Sequence, residues 1–247
     1  LDMNIPQQKC AEYWLGAHAK APSTVCTSKG EIALDSFLRD KRASVNHKGK
    51  SKANQFPFLF KVLDVNSMLS IQVHPSKEAA EHGFAQENKR GIPITASHRN
   101  FKDDNHKPEI MVALSEFWLL HGFLSKELLM SRLREIPELR YLLPVFLKDG
   151  YFGLYKTVME QSQEETDTRL QPLINKVILK YNLGKLEKNS PDYWAAKAAT
   201  SLKQDDHIDK GIYSIYFFNI LKINEGEAIF QDAGVPHAYL EGQNIEL

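Results

Sequence analysis

From Ile212 the chain runs IYSIYFFNILKI to Ile223, turns through Asn224-Glu225-Gly226-Glu227, resumes as Ala228–Gln231, and after Gly234-Val235-Pro236 reads His237-Ala238-Tyr239-Leu240. Short branched and aromatic runs cut by Gly and Pro are β-type patterning. This stretch decides the fold because of what precedes it. Between Ser125 and Ser201 the apolar residues recur at helical spacing, as Leu128, Leu129, Leu133 and Ile136, then Leu170, Leu173, Ile174, Val177, Ile178 and Tyr181. Pro137, Pro144 and Pro172 restrict where those helices run unbroken, and Ser190-Pro191 opens another. Before them, residues 1–123 are again β-rich, with strands expected at Phe58–Val65, Leu69–His74, Glu109–Ala113 and Trp118–Phe123 and a short helix over Ser76–Gln86. Two β-rich parts separated by helices predict one antiparallel barrel or sandwich, residues 1–123 and 211–247, with a helical domain inserted at 124–210.

Composition narrows the function. The 247 residues are 43% hydrophobic, enough for a sizeable core, and 31 Lys and Arg balance 31 Asp and Glu, so no charge excess points to nucleic acid or an acidic membrane surface. No apolar run approaches the roughly 18 residues of a membrane span. Cys10 and Cys26 form neither a disulfide framework nor a thiolate metal site, which fits a reducing compartment. The start at Leu1 and the Glu241–Leu247 segment, read as a turn and the first residues of a strand, suggest a piece of a longer natural chain.

Three clusters could carry chemistry. Gln72 and His74, at i and i+2 of an expected strand, project to one face, and Pro75 ends the ladder there. That pair is half a metal site or a polar strand edge. Glu109 follows the polar run Asn105-His106-Lys107-Pro108 and begins an apolar strand, so it either pairs with a cation such as Lys107 or binds a metal. His237, entering the last strand after a Gly-Pro turn, resembles the second half of the cupin pattern, in which a histidine faces a metal inside the barrel. Gln72, His74, Glu109 and His237 together would be a mixed N and O set suited to zinc or another borderline divalent ion with room for substrate. His47, His82, His98, His121 and His207 are read as structural or solvated, His18 and His106 as candidates for a pocket rim. Tyr213, Tyr216, Phe217 and Phe218 are read as packing.

The runs PFLFKVL (57–63), LSIQVHP (69–75), NHKPE (105–109), GEA (226–228) and VPHAYL (235–240), with AEYWLGAH (11–18), resemble the type I phosphomannose isomerase family, in the family's order. The resemblance implies a cupin-type jelly-roll barrel and one zinc ion held by Gln72, His74, Glu109 and His237. It places Lys61, Ser70 and Lys107 in the substrate pocket and an acidic residue at Glu246. The implied activity is interconversion of mannose 6-phosphate and fructose 6-phosphate through a cis-enediolate, with proton transfer between C2 and C1 by Lys107 or Glu246. A cytoplasmic monomer of carbohydrate metabolism supplying GDP-mannose is expected, with a sugar phosphate as its partner and neither nucleic acid nor membrane. The rival readings are a non-catalytic metal-bearing cupin and an iron-dependent cupin oxidoreductase; the amide ligand disfavours iron. The family also has a Tyr/Trp-Gly segment upstream, and an arginine loop and second β-barrel beyond residue 247. A protein ending at Leu247 is therefore expected to hold zinc but isomerise feebly.

Overall fold

The structure is a computed structural model that describes residues 11–18, 21–40, 58–201 and 207–247. Cys10, His47, Pro57 and part of the break at 203–210 lie outside them. In chain order the elements are β1 (Glu12–Leu15), β2 (Thr24–Thr27), β3 (Gly30–Ala33), α1 (Leu34–Asp40), β4 (Phe60–Val65), α2 (Lys77–Lys89), β5 (Glu109–Ala113) and β6 (Phe117–Phe123). Then come α3 (Lys126–Glu135), a 3₁₀ turn (Pro137–Leu142), α4 (Leu143–Glu160), α5 (Gln163–Asn182), α6 (Pro191–Ser201), α7 (Gly211–Phe217), β7 (Phe218–Ile223), β8 (Ala228–Gln231) and β9 (His237–Glu246). Helices α2, α3 and α5 each start on a serine, Ser76, Ser125 and Ser162, whose hydroxyl accepts a first-turn N–H.

Seven strands form one antiparallel system in the order β1-β4-β9-β5-β8, with β6 between β9 and β7; β2 and β3 make a separate hairpin. Strand β9 is the hub. Its first half pairs with β6 and its second half with β4 and β5. The change occurs where Tyr239 and Glu241 stand opposite the adjacent residues Leu119 and Trp118, leaving Leu240 as the extra residue of a bulge. Gly242 follows with φ of 124°, and a Cβ there would lie 2.6 Å from the Glu116 carbonyl oxygen. Only glycine suits that bend. The bulge also flips the alternation, so that His237, Tyr239, Asn244 and Glu246 all face the interior.

Two apolar cores flank β6. Trp118 and Leu120 face the helices and join Leu129, Leu154, Leu173, Trp194 and Tyr213, whereas Phe117 and Leu119 face inward with Leu63, Met111 and Ile223. At one end this interior gives way to polar side chains.

The structure departs from the sequence reading in five places. Helical residues outnumber strand residues among those described, so the class is a large antiparallel sheet with several helices, where a mainly β protein was expected. Residues 212–217 are helical: Ile212, Tyr213, Ile215, Tyr216 and Phe217 are buried all round α7, where periodicity cannot separate helix from strand. Residues 69–74 form no ladder beyond one bridge, Gln72 to His237. Residues 241–246 continue β9 and make no turn. Helix α5 also runs through Pro172, because burial of Leu170, Leu173, Ile174 and Val177 outweighs an interruption of about 3 kcal/mol.

Candidate metal centre

His74, Glu109 and His237 converge although they come from three separate segments. Glu109 opens β5 and points inward with Met111 and Ala113, opposite Gln231 of β8. His237 opens β9 after a turn in which the Gly234 N–H donates to the His74 carbonyl (2.9 Å), so the segments carrying the two imidazoles are tied together. Gln72 and His237 exchange both backbone hydrogen bonds, 2.9 and 3.0 Å, which puts their side chains on the same face.

Glu109 Oε2 lies 3.1 Å from His74 Nε2 and 3.5 Å from His237 Nε2. One ligand atom from each of the three residues lies within 4.8 Å of the others. His237 Nδ1 is 3.0 Å from the Val235 carbonyl oxygen, so its proton is assigned to Nδ1 and a lone pair at Nε2 is left facing inward. His74 Nε2 is buried with no hydrogen-bond partner. Nitrogen lone pairs and a buried carboxylate facing one another repel unless a proton or cation lies between them. Two imidazoles and a carboxylate, with the Gln72 amide on the same face, are the donor types borderline divalent ions take, and zinc fits them.

Burial alone would raise the Glu109 pKa. The contacts with His237, His74 and the Lys107 ammonium outweigh it and hold the carboxyl well below the usual carboxylate range. Lys107 Nζ sits 2.7 Å from Glu109 Oε1 with its side chain half exposed. The loop that delivers Lys107 is braced by α2: Lys77 donates to the Asp104 carbonyl (2.6 Å), and buried Glu87 accepts from the Asn100 and Phe101 N–H groups.

Glu246 lies deeper, pairing with Lys61 through Oε1 (2.5 Å) and accepting from the Tyr239 hydroxyl through Oε2 (2.9 Å). Gln231 donates to the same hydroxyl (2.7 Å), so a polar chain runs from Lys61 to the residue opposite Glu109. Burial and then the Glu246 charge push the Tyr239 phenol far up, which makes it a hydrogen-bond donor and no base. The sequence reading did not single out Tyr239 or Gln231 for this role, and it set His121 aside. Alternation along β6 was the available signal, since His121 shares the inward face with Phe117 and Leu119 and stands directly opposite His237. Burial, then the neighbouring His237, lowers its pKa.

Not every candidate joins the cluster. Ser70 and His106 are exposed and form no hydrogen bond or ion pair with it. His18 packs edge-on against Trp14 (4.9 Å). His82 and His207 bond to Gln86 and Asp167, away from the site. The aromatic band Tyr213, Tyr216, Phe217 and Phe218 is buried packing, as expected.

Residues 1–126 match the family model for the phosphomannose isomerase type I catalytic domain. Mannose-6-phosphate isomerase of Salmonella typhimurium is 35% identical over 99% of this chain and 61% of its own length, and that of Bos taurus 32% over 96% and 56%. A crystal structure of the Salmonella typhimurium enzyme bound to its substrate (f6p) and zinc superposes with a TM-score of 0.81 at 34% identity, covering 99% of this chain and 61% of that one. The chain thus spans about three fifths of the length of the bacterial relative. With the motifs, the sheet and the three-residue cluster in agreement, the chain belongs to the type I phosphomannose isomerase family.

Proposed function

We propose that this protein interconverts mannose 6-phosphate and fructose 6-phosphate and uses one zinc ion. The observation that carries the reading is the convergence of His74, Glu109 and His237 around an unpartnered ring nitrogen, beside Lys107. Gln72, His74, Glu109 and His237 hold the metal, which when bound supplies Lewis-acid polarisation of the sugar's carbonyl and hydroxyl oxygens. Lys107 is placed at Nζ to hold and return the proton that passes between C2 and C1. Glu246 is the second candidate for that proton, but both its oxygens are engaged, so its role is to fix Lys61 and Tyr239. Lys61, Ser70 and His106 bind the sugar's hydroxyls or phosphate. Phe117, Leu119 and Met111 exclude water from the floor of the site.

The two arms of the sheet that meet at β9 are, in this reading, the walls of a cupin-type jelly-roll barrel built from residues 1–123 and 211–247, with 124–210 inserted. The protein acts as a cytoplasmic monomer supplying GDP-mannose synthesis. No helix among the described residues is long and apolar enough to cross a membrane. The test is conversion of mannose 6-phosphate to fructose 6-phosphate by the zinc-loaded full chain. Zinc binding without conversion would favour the non-catalytic metal-bearing cupin.

A further inference from the structure

Across the mouth of the interior, three residues stand in one row on neighbouring segments: His121 of β6, His237 of β9 and Gln72. Antiparallel partners share a face, and the Gly122 N–H to Pro236 carbonyl bond (2.8 Å) makes His121 and His237 a non-hydrogen-bonded pair, the kind whose side chains approach most closely. Asn219 holds His121 in place by donating to the carbonyls of His121, Gly122 and Phe123 at 3.1, 3.2 and 2.9 Å, which pins the irregular end of β6. Despite that rigid support, neither ring nitrogen of His121 has a hydrogen-bond partner among the described residues, and Nε2 is shielded from solvent, as His74 Nε2 is. A buried polar atom left unpaired on a braced wall calls for a partner that is absent from the protein itself. His121 stands outside the group whose ligand atoms lie within 4.8 Å of one another, so the proposed ligand set does not include it.

We propose that His121 is a substrate-contact residue, its imidazole hydrogen-bonding a hydroxyl of the sugar phosphate bound beside His237. The inference rests on the isomerase reading above and adds to it a determinant of which sugar fits. The test is steady-state kinetics with mannose 6-phosphate on zinc-loaded full chain carrying His121→Ala or His121→Gln, with zinc content and Tm measured on each. His121→Ala should keep its zinc and lose roughly tenfold in kcat/KM, the effect of one hydrogen bond, chiefly through KM. His121→Gln, whose amide reaches the Nε2 position, should recover most of the loss, and added imidazole should partly rescue His121→Ala. Wild-type kinetics in His121→Ala would overturn the proposal, as would loss of zinc, which would make His121 a ligand. An equal defect in both variants without imidazole rescue would mark it as structural and overturn the proposal too. A wild-type protein that binds zinc but isomerises nothing would instead defeat the isomerase reading itself.

Discussion

The helical layer and the β interior both bury polar side chains, and they treat them in opposite ways. Among the helices, the Tyr213 hydroxyl bonds Tyr141 (2.9 Å) and Gln161 (3.0 Å), Gln161 donates to Tyr141 (2.8 Å), and Tyr155 meets Ser214 (3.1 Å). Arg169 lies over the Tyr141 ring and Thr166 bonds back to the Ser162 carbonyl. Of the six buried side-chain atoms without a partner among the described residues, five belong to the β interior: His74 Nε2, His121 Nε2, Gln231 Oε1 and both polar atoms of Asn244. The sixth, Glu138 Oε2, belongs to a carboxylate that Lys176 approaches to 3.8 Å. Polar groups buried among the helices close on one another, while those of the β interior around the candidate metal cluster leave a valence open.

The strongest way to break this contrast is to remove an open-valence group. His74→Ala or His237→Ala should abolish zinc binding and turnover together, while His82→Ala on the exposed side of α2 leaves both intact; elemental analysis and the isomerase assay decide. Stoichiometric zinc in either ligand variant would show that the cluster is not the metal centre. Next, Lys107→Met should keep the metal and lower kcat by roughly 10² to 10⁴-fold, as loss of a general acid or base does. Near-normal turnover would move proton transfer to Glu246.

On the helical side the same kind of change should act on stability alone. Gln161→Leu takes one partner from each of the Tyr141 and Tyr213 hydroxyls, leaving them only each other, and should cost about 1–3 kcal/mol, read as a lower midpoint in urea with unchanged zinc content. The smallest effect is expected at Asn244, fully buried with neither side-chain polar atom hydrogen-bonded among the described residues. Asn244→Leu should leave the urea midpoint unchanged or slightly raised. A drop as large as that of Gln161→Leu would mean that Asn244 is satisfied after all, and the contrast between the two regions would fail.

Much of the site was legible because its residues sit in short motifs whose strand or turn setting is local. Glu109 opens a strand with the expected bounds, Glu109–Ala113, and β8 likewise falls on Ala228–Gln231. His237 follows its Gly-Pro turn, and Lys107 reaches Glu109 as the pairing alternative anticipated. What stayed hidden depends on tertiary register. The bulge at Leu240 moves Asn244 and Glu246 onto the face of His237, and no local pattern announces an inserted residue. His121 looked like one polar residue on a strand until its partner across the ladder was known to be His237. Helix α7 was misread because a segment buried on every side has no polar face to reveal its period.

Strand β9 also governs how this molecule can be made. Lys61 and Glu246 meet across 185 residues of sequence, and β9 joins β4, β5 and β6, so the interior that carries the candidate metal cluster is built from contacts far apart in sequence. Closing such loops is entropically costly and slow, whereas α3 to α6 rest on neighbours close in sequence and can settle first. During synthesis the inward faces of β4, β5 and β6 must therefore wait, apolar and unpaired, until β9 emerges. In that interval the molecule is most exposed to aggregation, and the candidate metal cluster is completed only when His237 arrives, among the last contributions to the fold.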